Sequence, residues 1–182
     1  WNLSRSRYWG IPLPIWRTID KSETKVIGSI KELKNEIELS LENRHMNFDP
    51  LEDFEIENMS NENYDKIDLH KDTADKIILS SPKGKPMYRE KDLIDVWFDS
   101  GAMPYAQVHY PFENKDFIDK KKLFPADYIA EGVDQTRGWF YTLHVISAIV
   151  FDSISYKNVI SNGLVLDKNG LKMSKRLGNS ID

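Results

Sequence analysis

Asp127-Tyr128-Ile129-Ala130-Glu131-Gly132-Val133-Asp134-Gln135-Thr136-Arg137-Gly138-Trp139 is the stretch on which the reading of this chain turns. Asp127 to Ala130 has the short apolar run of a strand, and it enters a glycine turn at Glu131-Gly132. From about Asp134 to Val150, Trp139, Leu143, Ile146 and Val150 recur at helical spacing, which predicts one long helix with an apolar stripe. Asn158 to Leu166 again reads as a strand. Strand, helix and strand with an apolar crossover is the βαβ pattern of a parallel sheet, so the expected fold class is α/β.

Working outward, Asp167-Lys168-Asn169-Gly170 is a tight turn whose Asn-Gly pair suits a positive φ. Upstream, Lys115 to Leu123 suggests a short helix, and Ile94-Asp95-Val96-Trp97-Phe98 has the composition of a strand. Composition divides the chain into an aromatic, proline-bearing stretch (1–19), a polar and charged middle expected to form a small α+β appendage (20–92), and an apolar, glycine-bearing part (93–182). In the middle part Ser29 and Glu32 have capping-box spacing, and Ile30, Leu33, Ile37 and Leu41 predict a helix near 30–42. Glu42 to Asp68 holds nine acidic and two basic residues, the mark of a solvated surface and a poor face for a polyanion. Lys76 to Leu79 reads as a short strand closed by Ser80-Ser81-Pro82.

The chain has 182 residues, 40% of them hydrophobic and 12% aromatic, enough for a packed core. A net charge of −4 argues against a surface built to coat nucleic acid, while leaving room for a local basic site. Without cysteine there is no disulfide, Cys nucleophile or Cys-ligated zinc. The longest strongly apolar run, Val145 to Phe151, is far too short to cross a bilayer. No secretory signal opens the chain, and its first residue is Trp1. These features lead to the expectation of a piece of a longer, soluble, cytoplasmic protein.

Ligands of parallel α/β sheets bind at the carboxyl ends of the strands, where Glu131 to Trp139 falls. Gly132 leaves room for a ligand at the backbone, Asp134 can accept from a pair of ribose hydroxyls, and Glu131 and Gln135 add polar contacts. The plainer alternative is a helix cap by Asp134 with Glu131 and Arg137 as a surface pair. Lys172-Met173-Ser174-Lys175-Arg176, followed by Leu177-Gly178-Asn179, is either a solvated loop or a cationic flap over a polyphosphate. Trp97 and Trp139 either pack in the core or wall a pocket for a small aliphatic side chain. His45, His70, His109 and His144 show no metal spacing.

Taken together these segments resemble the class I aminoacyl-tRNA synthetases, within them the isoleucine-specific type. The resemblance rests on Trp1 to Pro14, on Asp95 to Gly101 with Met103 to Gln107, on Ala130 to Trp139, and on Lys172 to Arg176. It implies the later half of a Rossmann-like catalytic domain, after the editing insertion. It also implies ATP-dependent activation of isoleucine and transfer to its tRNA. Carried over, Gly132 and Asp134 hold the adenosine ribose, and Glu131 and Gln135 line the adenylate. Trp97, Trp139 and Gln135 face the amino acid, and Lys172, Met173, Ser174, Lys175 and Arg176 form the ATP loop, with Lys172 and Lys175 catalytic. Mg²⁺ accompanies ATP; no metal or zinc site is expected in this segment, nor a membrane partner, and the full enzyme is expected to be monomeric. The His-x-Gly-His type motif of the family is absent, so the isolated chain is expected to have negligible adenylation activity. Valyl- or leucyl-type relatives and a non-catalytic nucleotide- or RNA-binding module remain as alternatives. A dinucleotide oxidoreductase would need a G-x-G-x-x-G that this sequence lacks.

Overall fold

The computed structural model describes residues 1–179; residues 180–182, the end of the predicted third part, lie outside it. The chain forms two units, Trp1–Val96 and Trp97–Asp182.

In the first unit β1 (Ser4–Arg5) is followed by β2 (Ile15–Thr18), β3 (Thr24–Val26) and α1 (Ile30–Glu42). Two short helical turns, α2 (Asn61–Tyr64) and α3 (Lys71–Ala74), lead to β4 (Ile78–Ser80), β5 (Pro86–Arg89) and β6 (Leu93–Ile94). β1 pairs with β6, and the order β3-β2-β5-β4 makes an antiparallel sheet, so residues from the opening stretch and the polar middle share one sheet. Leu33, Ile37 and Ser40 put the inner stripe of α1 against a core with Trp16, Ile77, Leu79 and Met87. The predicted capping box forms: Ser29 Oγ accepts from the Glu32 N–H at 3.1 Å, while Glu32 reaches one residue further back, to the Gly28 N–H, at 2.7 Å.

The acidic stretch is mostly solvated, as expected, but Met46, Leu51, Phe54 and Asn63 within it are buried. Lys34 holds this irregular segment down, its ammonium donating to the Leu51 and Phe54 carbonyls, both at 2.7 Å. Asn63 gives its amide to the Glu55 and Asn58 carbonyls and accepts from the Glu55 N–H, so a fully buried polar side chain is satisfied.

The second unit contains α4 (Val96–Ala106), α5 (Lys115–Asp119), β7 (Ala126–Gly132), α6 (Trp139–Phe151) and β8 (Tyr156–Asn162). β7 and β8 are parallel, joined by α6, which is the expected βαβ unit. Three details differ from expectation. The strand-like run Ile94 to Phe98 yields only the end of β6 and then becomes helical at Val96. The β-branched and aromatic composition is overruled by packing: a Cβ on Gly101 of α4 would lie 2.8 Å from Ile146 Cδ1 and 3.1 Å from the Thr142 backbone, so α4 crosses α6 in near contact. The long helix predicted from Asp134 is two pieces, a 3₁₀ turn at Val133–Arg137 and then α6, divided at Gly138. α6 buries Phe140, Thr142, Leu143, Ile146 and Ser147, and Val150 of the predicted stripe is 62% exposed. The last strand stops at Asn162 instead of Leu166, which makes an isolated antiparallel bridge to Lys172. The second core gathers Tyr105, Ile118, Phe124 and Ile146, with Phe151 stacked 4.4 Å from Tyr105.

Candidate functional site

The turn after β7 and the segment after β8 leave the same end of the sheet, because Gly132 pairs in register with Asn162. That end is the carboxyl end of both strands, the position at which α/β sheets receive ligands.

Within the turn, Asp134 caps nothing. Neither the 3₁₀ turn nor α6 has a side-chain cap from it, and its exposed carboxylate has no hydrogen-bond or ion-pair partner among the described residues. Helix capping is done by Gln135, whose Oε1 accepts from the Trp139 N–H at 2.9 Å. This fixes one end of the Gln135 carboxamide and leaves only its amide end for a ligand. Glu131 and Arg137, the alternative surface pair, form no ion pair in this structure. The only atoms near the place a Cβ on Gly132 would take belong to the Asp134 carboxyl, 2.6 Å away at Oδ1, an exposed side chain free to turn aside.

The two tryptophans meet at Gly138. A Cβ on that residue would lie 3.2 Å from Trp97 Cη2, and Trp139 is the next residue. Trp97 is 40% exposed and Trp139 half-buried, so neither is a core side chain. Trp139 is nevertheless rigidly held: its Nε1–H donates to the Ser100 carbonyl at 2.9 Å. That carbonyl is open because its i+4 helical partner is Pro104, which has no N–H.

The cationic loop stands on a hairpin-like base. Asp167 accepts from the Asn169 and Leu171 N–H groups through Oδ1, both at 2.9 Å, and Gly170 takes φ +76°, as the Asn-Gly turn predicted. Asn179 crosses the base, donating to Asp167 Oδ2 at 2.8 Å and accepting from the Ser174 N–H at 2.9 Å. These bonds, the one from Asn179 foremost, hold the Asp167 carboxyl below the usual carboxylate range. Met173 and Ser174 are half-buried, while Lys172, Lys175 and Arg176 are exposed, the last two in a 3₁₀ turn. No hydrogen bond or ion pair among the described residues joins Lys172, Lys175 or Arg176 to Glu131, Asp134 or Gln135. No group of three or more His, Asp or Glu suited to a metal occurs among the described residues, and no helix among them is long and apolar enough to cross a membrane.

Two contributors to this arrangement are not legible in the sequence: Pro104 with Ser100, and Asp167 with Asn179. Pro104 signals the carbonyl it leaves free only once Val96–Ala106 is known to be helical, and the sequence suggests a strand at its start. The second pair brings together residues 12 apart, and no residue pattern announces it.

Comparison with known proteins identifies the family. The whole chain, residues 1–182, matches the family described as tRNA synthetases class I (I, L, M and V). It is 67% identical to an isoleucine–tRNA ligase of Bacteroides fragilis and 62% identical to that of Porphyromonas gingivalis, in each case over 100% of this chain and 16% of the relative. A cytoplasmic isoleucine–tRNA ligase of Schizosaccharomyces pombe is 47% identical over 98% of the chain. The chain thus spans about a sixth of the length of these relatives. In fold it is similar to LeuRS in a ternary complex with tRNA and LeuAMS from Agrobacterium radiobacter K84, with a TM-score of 0.60 at 22% identity, covering 100% of this chain and 21% of that one. An exposed carboxylate beside a glycine strand end, a pair of tryptophans at one knuckle and a cationic loop some residues beyond the neighbouring strand therefore occur in a chain that belongs to the class I tRNA synthetases.

Proposed function

We propose that this chain is the segment of an isoleucine–tRNA ligase that holds the ribose, the amino-acid side chain and the leaving pyrophosphate during activation. The observation that carries the reading is the register of β7 with β8: Gly132 lies opposite Asn162, so the Asp134 turn and the segment that leads on to the cationic loop leave the sheet side by side. In this reading the sheet is the later half of a Rossmann-like catalytic domain, completed by strands outside these residues.

The chemistry follows from the groups. A carboxylate oxygen of isoleucine attacks the α-phosphorus of ATP, the bond to the bridging oxygen of the β-phosphate breaks, and pyrophosphate leaves with that electron pair. Asp134, exposed and without a partner among the described residues, accepts from the ribose hydroxyls, and Gly132 lets the nucleoside lie against the backbone. Glu131 and the amide end of Gln135 border the adenylate. Lys172 and Lys175 oppose the charge that grows on the leaving group, an electrostatic contribution on the order of 10²–10³-fold per donor. Met173, Ser174 and Arg176 complete the loop around the phosphates. Mg²⁺ enters with ATP as part of the substrate. Trp97 and Trp139 flank the aliphatic side chain, where one methylene is worth roughly 1–3 kcal/mol of discrimination. A terminal ribose hydroxyl of the tRNA then attacks the acyl carbonyl and AMP departs. The complete enzyme in this reading is a monomer of the cytoplasm.

The test is a graft. The chain replaces the matching segment of the Bacteroides fragilis isoleucine–tRNA ligase, to which it is 67% identical, and ATP–pyrophosphate exchange is measured with each aliphatic amino acid. Isoleucine-dependent exchange is expected, lost on Asp134→Ala or Lys175→Ala and negligible for the isolated chain. Exchange driven better by valine or leucine, or none at all, overturns the reading.

A further inference from the structure

Between Asp167 and Asn179 the chain carries four cations, Lys168, Lys172, Lys175 and Arg176, and Asp167 is the only acid from Gly163 to Asn179. Coulomb attraction alone would pair that acid with a lysine. It does not: one carboxylate oxygen takes two backbone N–H groups and the other takes the Asn179 amide. None of the four cations forms an ion pair among the described residues. Asn179 is equally committed, its oxygen to the Ser174 N–H and its amide to Asp167, with the Lys172 carbonyl 3.4 Å from the same nitrogen. Between them the two side chains fix the backbone at Asn169, Leu171 and Ser174, at the base of the loop and within it.

We propose that Asp167 and Asn179 act as a clasp that positions the cationic loop, closing its base through neutral amides so that the positive charge stays unpaired for an incoming polyphosphate. This rests on the activation role given above, and it makes both side chains positioning residues, not contacts of the substrate. The arrangement is also directional. Asp167→Asn sets two carboxamides facing each other, and turning Asn179 over to suit would break its bond to Ser174. Asn179→Asp sets two carboxylates together. The exchanged pair, Asp167→Asn with Asn179→Asp, restores a matched donor and acceptor: the carboxamide now at position 167 still accepts from the two N–H groups and donates to the new carboxylate, which accepts from Ser174.

Trypsin reads the clasp directly, because Lys172, Lys175 and Arg176 are its cleavage points and lie inside the loop. In the full chain and in the graft, each single variant is expected to raise the rate of cleavage at these residues about tenfold by local opening. The exchanged pair should return it to within about twofold of the parent. In the graft, the single variants should lower kcat for exchange and leave KM for isoleucine unchanged, and the exchanged pair should recover kcat. Parental cleavage rates in both single variants, or a double variant no better than the singles, would overturn the clasp. An Asn179→Ala variant, which only deletes the crossing side chain, must behave like the singles. Cleavage does not depend on amino-acid activation, so a parent graft without isoleucine-dependent exchange would sink the functional reading and leave the clasp to be judged by trypsin alone.

Discussion

Trp139→Phe is the most informative single perturbation of the second unit, because its effect depends on a proline one helix away. The substitution keeps an aromatic ring and deletes the Nε1–H that now donates to the Ser100 carbonyl at 2.9 Å. With Pro104 unable to supply the helical N–H, that carbonyl loses its protein partner. Leaving a buried acceptor unsatisfied costs about 1–3 kcal/mol, and the half-buried Ser100 argues for the lower end, about 1 kcal/mol. Loss of indole area adds to this. Pro104→Ala restores the i+4 donor, so Trp139→Phe made on top of Pro104→Ala should cost only the area. The four proteins form a double-mutant cycle in which the area cancels, with a coupling of about 1 kcal/mol. Guanidinium denaturation of the chain followed by far-UV circular dichroism resolves that difference. Equal costs of Trp139→Phe with and without Pro104→Ala would refute the idea that proline opens this carbonyl for the indole.

Two further outcomes follow from the geometry. Gly101→Ala should gain up to about 1 kcal/mol of helix propensity yet lower stability overall, because its Cβ would meet Ile146 at 2.8 Å and overpacking costs about 1–3 kcal/mol; a melting temperature equal to or above the parent's would show that α4 and α6 are not in near contact. Asp20 is held well below the usual carboxylate range, first by Lys85 at 2.8 Å and then by the Thr18 and Ser22 hydroxyls. A lowered folded pKa means that its contribution is complete above the unfolded value of about 4 and is lost as pH falls below it, so the deficit of Asp20→Asn relative to the parent should shrink as pH drops through about 4. A deficit constant from pH 7 to pH 2 would contradict that sign.

The βαβ unit was legible because its apolar runs are short, separate and bounded by glycine, and the α1 terminus because a capping box is a local device in which three residues decide the outcome. The turn at Gly170 was legible for the same reason. α4 is not legible, since Ile94 to Phe98 has strand composition and the packing of Gly101 against Thr142 and Ile146 brings in residues far along the chain. The break at Gly138 escaped notice because it depends on where the Gln135 side chain folds back. At the site, residue types identified Asp134, Lys172 and Lys175 as candidates, but whether Asp134 was a cap or an open acceptor needed coordinates. The predicted stripe on α6 fails at Val150, because the buried face runs through Phe140, Leu143, Ile146 and Ser147 and nothing covers Val150 in the last turn among the described residues.

Lys34 sets how the first unit responds to its chemical surroundings. Gathering several carbonyls of an irregular segment around one positive centre is a task commonly left to calcium, and here a tethered amine performs it for the Leu51 and Phe54 oxygens. Acylation of that single amine would abolish the charge and two of its donors at once, so the hold of α1 on the Leu51–Phe54 segment hangs on one modifiable nitrogen.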